Sequence, residues 1–214
     1  VDGKVILKPS TIVLPGAVVL CEKPQRNFVS RGGDKLQAAL TAFAIDVNGL
    51  TCLDVGASTG GFSDCLLKNG AKKVYAVENG KDQLAQQLKQ DPRIISMEET
   101  DIRDVEVGWF AETINLATVD VSFISLTKIL KPLSAVVEDL ICLIKPQFEA
   151  GKGQTSKRGI IKDEKTRRRT VDEVCNFAKS LGLTEQGIIA FPETPRRDQN
   201  QEFLVYYKKK EEYL

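Results

Sequence analysis

Leu36, Ala39, Leu40 and Phe43 recur at helical spacing after Asp34, and Asn48-Gly49 then marks a turn. Beyond it, apolar runs of strand length alternate with amphipathic stretches. The pattern predicts strands over Thr51–Val55, Lys73–Glu78, Ile94–Met97, Leu116–Phe123 and Leu140–Lys145. It predicts helices over Gly61–Asn69, Lys81–Lys89, Leu126–Val137 and Asp163–Leu181. Two more strands follow, Gly187–Ala190 and Glu202–Tyr207, spaced like a hairpin. Strands that alternate with helices belong to a parallel sheet covered on both faces. The expected fold is therefore α/β: a Rossmann-like seven-stranded sheet with helices on both faces and one antiparallel strand. Residues 1–28 read differently. Their runs Val5-Ile6-Leu7 and Ala17-Val18-Val19-Leu20 are broken by Pro9, Pro15-Gly16 and Pro24, a hairpin-like punctuation with too little apolar surface to stand alone.

Length and composition narrow the chemistry. A chain of 214 residues with 42% hydrophobic and 28% charged residues can bury a full core without disulfides. It contains no histidine, which excludes imidazole bases and His-ligated zinc. Proton transfer must then use Lys, Asp, Glu, Tyr or Cys. Cys21, Cys52, Cys65, Cys142 and Cys175 are odd in number, widely spaced and without a C-x-x-C pair, so they read as reduced residues of a cytoplasmic protein with no metal. The longest uncharged run, Pro9 to Cys21, has 13 residues and is too short to span a membrane. The chain opens on Val1, and the expectation is a piece of a longer polypeptide.

The candidate site begins at Leu53-Asp54-Val55-Gly56-Ala57-Ser58-Thr59-Gly60-Gly61-Phe62, which ends a strand and opens a helix. Glycines there let the backbone turn sharply and approach a ligand at the carboxyl edge of the sheet. The spacing Gly-x-x-x-Gly-Gly differs from the G-x-G-x-x-G of a dinucleotide site, which argues against an NAD-dependent oxidoreductase. Asp54, Gly56, Ser58, Gly60, Gly61 and Phe62 are the expected ligand-binding residues of this loop. Glu78 closes the next strand, where a carboxylate accepts from ribose hydroxyls, and Asp101 follows the third strand, where one could accept from an adenine amino group. The same glycines and acids would also serve a plain strand-to-helix turn and solvated strand ends.

The formal charge of +1 hides a strong local imbalance. Residues 151–170 hold eight Lys or Arg and two acids, a local charge of +6. Lys152, Lys157, Arg158, Arg167, Arg168 and Arg169 are expected to contact phosphates, which the family resemblance given below makes those of RNA, with Arg31 and the pair Arg196-Arg197 extending the face. Phe62, Phe123 and Phe148 sit in or beside apolar runs and read as packing residues rather than base-stacking platforms.

Four stretches carry a family resemblance: Val29-Ser30-Arg31-Gly32-Gly33-Asp34-Lys35-Leu36, the loop at 54–62, Asp120-Val121-Ser122-Phe123-Ile124-Ser125-Leu126, and Ile144-Lys145-Pro146-Gln147-Phe148-Glu149-Ala150-Gly151. With them the chain resembles the FtsJ-type S-adenosylmethionine-dependent RNA 2′-O-methyltransferases, specifically the TlyA or hemolysin A-like rRNA methyltransferases. The resemblance implies an S-adenosylmethionine cofactor, a ribosomal RNA or ribosomal-subunit partner, and a catalytic set at Lys35, Asp120, Lys145 and Glu202. Asp120 would also touch the cofactor. It further implies that residues 1–28 are the remnant of an S4-like RNA-binding domain with its linker, followed by a methyltransferase domain over 29–214. Methyl transfer to a ribose 2′-hydroxyl asks the protein mainly to position the hydroxyl and remove its proton, which makes Lys145 the leading base in a chain without histidine. Asp120 and Glu202 would orient the two lysines. Two other readings compete: a non-catalytic RNA-binding or ribosome-assembly factor, and a hemolysin-like protein with membrane-associated activity.

Overall fold

The computed structural model describes residues 1–6, 8, 10–20, 27–151, 153–196 and 198–210. Cys21, Lys152 and Arg197, each given an expectation above, lie outside the described residues. Seven strands form one sheet: β1 (Thr51–Val55), β2 (Lys73–Val77), β3 (Ile94–Met97), β4 (Ile114–Val119), β5 (Val137–Ile144), β6 (Leu183–Phe191) and β7 (Glu202–Lys209). Their order across the sheet is β3-β2-β1-β4-β5-β7-β6, and only β7 runs antiparallel to its neighbours. The chain moves outward from β1 to β3 and then returns to place β4 on the other side of β1. That reversal opens a crevice beyond the carboxyl ends of β1 and β4, the usual ligand position in such sheets.

The side-chain alternation of the strands builds two cores. On one face Leu53, Val55, Ala117, Val119, Leu140 and Cys142 pack with Leu130 and Leu133 of α4 (Leu130–Val136) and with Val171, Val174 and Ala178 of α6 (Glu164–Ser180). On the other, Cys52, Val74, Ala76, Leu116, Ile141 and Leu143 meet α1 (Arg31–Ala42) and α2 (Gly61–Lys68). Leu36, Ala39 and Leu40 are the buried stripe of α1. The side chain of Ser30 caps this helix by accepting from the Gly32 amide, and Asp163 caps α6 by accepting from the Thr166 amide at 2.8 Å. Cys52, Cys65, Cys142 and Cys175 are free thiols, the first three buried. Burial pushes Cys52 and Cys65 up to about 12, which keeps both inert as thiols.

Several elements depart from the hydrophobic pattern. The helix expected over 81–89 contracts to α3 (Gln86–Lys89), because the Glu98 carboxylate takes the amides of Gln83 and Leu84 at 2.6 and 3.0 Å and holds that stretch as a turn. Strand β4 stops at Val119, so Asp120 to Phe123 form a loop. The helix expected over 126–137 divides into a 3₁₀ turn at Leu126–Lys128 and α4, which runs directly into β5. A one-turn helix, α5 (Pro146–Glu149), was not foreseen; Pro146 at its first position has the fixed φ and missing N–H that suit a helix start. The described residues of 1–20 contain no strand, and Val5, Ile12 and Leu14 among them are exposed. No helix among the described residues is long and apolar enough to cross a membrane.

Candidate active site

The loop after β1 is held by both of its neighbours. The Gly56 and Ala57 amides donate to the Val77 carbonyl at 2.9 and 3.1 Å, and the Asp120 amide donates to the Val55 carbonyl at 2.9 Å. Gly56 has φ +81°, and a Cβ there would fall 2.5 Å from the Asp120 carbonyl oxygen, so no larger residue fits without shifting the β4 loop. Glu78 fixes the other side of the loop: its two oxygens accept from the Ser58 and Gly80 amides at 2.9 and 2.8 Å. A carboxylate has about four lone-pair sites, so Glu78 keeps acceptor capacity for hydroxyls in the crevice.

Beneath the loop, Asp54 is fully buried. One oxygen accepts from the Ser63 amide and hydroxyl at 2.8 and 2.6 Å, while Oδ1 has no hydrogen-bond partner. Burial pushes this carboxyl up to about 7; the two hydrogen bonds from Ser63 pull it down, and the charges of Asp120 and Glu78 push it further up. The crevice itself is a cavity of about 710 Å³ lined by Gly56, Ser58, Glu78, Asp101, Arg103 and Asp120, among others. The Arg103 guanidinium pairs with Asp101 and holds its carboxyl below the usual range, so any ligand amino group would share Asp101 with that arginine. Gly60 caps α2, whereas Gly61 and Phe62 line a second cleft on the other side of the loop.

That second cleft, of about 660 Å³, contains Lys35, Asp120, Lys145 and Glu202. Lys35 projects from α1 and pairs with Glu202, the first residue of β7, at 2.6 Å. Lys145, just past β5, pairs with Asp120 and donates to the Ser122 hydroxyl at 2.9 Å. The four expected catalytic residues thus form two ion pairs, both in the lining of the cleft. Gly56, Ser58, Asp120 and Ser122 line both cavities. A group bound in one can therefore meet a group bound in the other beside Lys145.

Among the described residues, three buried side-chain oxygens lack a hydrogen-bond partner: Asp54 Oδ1, Asp120 Oδ1 and Gln147 Oε1. Asp120 Oδ1 is in ion-pair contact with Lys145 but outside hydrogen-bond geometry. Asp54 and Asp120 lie at the carboxyl ends of β1 and β4 and Gln147 just beyond β5, the edge where such sheets concentrate unsatisfied polar groups; Asp54 itself lines neither cavity. The open acceptor sites of Glu78 and the carboxylate of Asp120, both lining the first cavity, suit a cationic, hydroxyl-bearing ligand. No group of three or more His, Cys, Asp or Glu among the described residues is arranged to hold a metal.

The aromatic expectation needs correction. Phe62 is buried as expected, but Phe123 is 90% exposed and has φ +65°. Its ring lies 4.9 Å from that of half-buried Phe148, and the Lys145 ammonium sits 5.9 Å from the Phe148 ring. Because β4 ends early, Phe123 is carried on a loop instead of entering the core. Arg31 lines the second cleft. Lys157 and Arg158 are exposed, while Arg168 and Arg169 line a separate shallow hollow on α6 with Glu164, Asp172 and Glu173. Ser122 and Gln147 stood inside recognised stretches without a role; only the structure brings them to the ion pairs.

The chain has known relatives in sequence and in structure. The 16S/23S rRNA (cytidine-2′-O)-methyltransferase TlyA of Mycobacterium tuberculosis is 40% identical over 212 residues, covering 97% of this chain and 79% of that protein. The crystal structure of a Lactococcus lactis protein provisionally described as a hemolysin is 43% identical, with a TM-score of 0.82 and coverage of 87% of this chain and 90% of that one. An S-adenosylmethionine-dependent methyltransferase from Mesorhizobium loti shares the fold at 15% identity, with a TM-score of 0.60 over 80% of this chain and 96% of that one. Residues 28–209 match the FtsJ-like methyltransferase description, and the chain belongs to that family.

Proposed function

We propose that the protein transfers the methyl group of S-adenosylmethionine to a ribose 2′-hydroxyl of ribosomal RNA. The observation that carries this reading is the meeting of the two cavities at Asp120 and Ser122, with Lys145 beside the junction. The TlyA relative, named as an rRNA (cytidine-2′-O)-methyltransferase, supports the substrate class.

S-adenosylmethionine supplies an already activated methyl group when bound. Gly56, Ser58, Glu78 and Asp101 would hold it, with Asp120 providing negative charge near its cationic end. The Lys145 amine would receive the proton of the acceptor hydroxyl, with the Asp120 carboxylate beside it to balance the charge. Ser122 fixes the direction of the Lys145 amine. Lys35, balanced by Glu202, holds the acceptor ribose or its phosphate in the same cleft. Arg31, Lys157 and Arg158 would add phosphate contacts that make RNA binding salt-dependent. We also assign residues 1–28 to the remnant of an S4-like domain and its linker; the family match beginning at residue 28 and the exposed apolar side chains before it support that boundary.

The test incubates ribosomal subunits from a strain lacking the enzyme with the protein and methyl-labelled S-adenosylmethionine, then maps the modified nucleotide. Incorporation at a 2′-oxygen is expected. RNA binding without incorporation would replace this reading with that of a non-catalytic ribosome-assembly factor.

A further inference from the structure

The stretch Lys145-Pro146-Gln147-Phe148-Glu149 contributes one expected catalytic residue, yet each of its other polar side chains has a specific partner. Glu149 reaches the Ser125 hydroxyl and the Leu126 amide at 2.6 and 2.9 Å, clamping the loop after β4. Gln147 points the other way, into the second cleft, where its Nε2 donates to Glu202 Oε1 at 3.1 Å. Lys35 takes the other oxygen of the same carboxylate. Two residues from Lys145 on the same helical turn, Gln147 therefore ties the Lys35–Glu202 pair to the segment that carries the Lys145–Asp120 pair.

The remaining amide atom is the informative one. Gln147 Oε1 is buried without a partner, although it belongs to a residue lining the cleft. Turning the amide over would not relieve this, because it would set the carbonyl oxygen against the Glu202 carboxylate and leave the N–H donors unused. The orientation is thus fixed by Glu202, and Oε1, which solvent does not reach in this structure, gains a donor only when a ligand entering the cleft shifts the wall around it.

We propose that Gln147 is a further substrate-binding residue of the transfer reaction: Nε2 holds Glu202 in place, and Oε1 accepts a hydrogen bond from a hydroxyl or amino group of the acceptor nucleotide. This rests on the methyl-transfer reading given above. Glutamine suits the position because it supplies a donor to one side and an acceptor to the other without adding charge between the ion pairs. Phe148 and Glu149 direct their side chains to other elements and cannot substitute for it.

The test compares the full chain with Gln147→Met, similar in length but lacking both amide groups, and with Gln147→Asn, which keeps the amide but is one carbon too short. Methyl transfer to ribosomal subunits from a strain lacking the enzyme is followed under single-turnover conditions, with S-adenosylmethionine affinity from calorimetry and melting temperature alongside. Both variants are expected to lose about tenfold in transfer efficiency, with cofactor Kd and melting temperature unchanged. Wild-type transfer by Gln147→Met would overturn the inference, as would a parallel loss of melting temperature or cofactor affinity in both variants, which would make the residue structural. If the wild-type protein itself transferred no methyl group, the methyl-transfer reading would be what failed.

Discussion

The two ends of the central strands are built to opposite rules. At their amino ends the Glu112 carboxylate accepts from the Thr51 hydroxyl at 3.0 Å and pairs with Lys72 and Lys73, which pulls it down to about 2. Asn115 accepts from the Thr51 amide at 3.1 Å and donates to Glu138 at the same distance. At the carboxyl ends of the same strands lie Asp54, pushed up to about 7, three buried oxygens without hydrogen-bond partners, and the positive-φ residues Gly56, Ser58 and Phe123. Saturated polar groups secure the fold at one end, while the other retains unsatisfied groups and backbone strain that a ligand can use. The sheet between them is common to both.

The difference can be broken most sharply at Lys145. Lys145→Ala is expected to lower methyl transfer by about a thousandfold, the scale of a lost general base, while S-adenosylmethionine binding measured by calorimetry stays within about twofold. Comparable transfer by the variant would remove Lys145 from the chemistry. Next in size, Gly56→Ala should weaken S-adenosylmethionine binding by about ten- to a hundredfold, from the strain at positive φ and the contact with the Asp120 carbonyl. Tight binding by that variant would show that the loop yields easily.

Asp54 sharpens the contrast through pH. Its folded-state value of about 7 lies above the ordinary 3.8, so the native state binds more protons than the unfolded chain between roughly pH 4 and 7. Stability from this group is fully present at the acid end of that window and is lost as pH rises through 7. Asp54→Asn should abolish the dependence, so that the gap between the two proteins moves in favour of the variant as pH rises to 8. Denaturant melts at pH 5 and pH 8 read this directly, and an Asn variant that keeps the wild-type slope would assign it to another group. The smallest effect belongs to the opposite edge. Glu112→Ala should lower the melting temperature modestly and leave transfer within about twofold, as expected of a surface ion pair. Lost activity there would erase the distinction between the two edges.

Much of this architecture was legible because the strands are short apolar runs bounded by turn residues. β1 and β3 fall where the pattern placed them, and the site loop between β1 and α2 could be read from its glycines. Elements governed by one distant polar group could not. Glu98 dissolves the first turn of the expected 81–89 helix from outside that segment. The two-glycine start of α1 conceals its true beginning, since Gly32 and Gly33 have low helix propensity and only the Ser30 cap reveals it. Likewise, the residue types of the site were visible, but their pairing was not. Lys35 and Glu202 are 167 positions apart, and no local pattern says which carboxylate meets which lysine.

That separation also divides the site along the chain. The residues lining the first cavity span only 55 to 129, whereas the second cleft needs Glu202 from β7. One cavity is drawn from a single stretch of chain, while the other closes only where the two ends of the domain meet through Lys35 and Glu202. A break in the chain between residues 130 and 201 would leave every residue of the first lining on one fragment and divide the second.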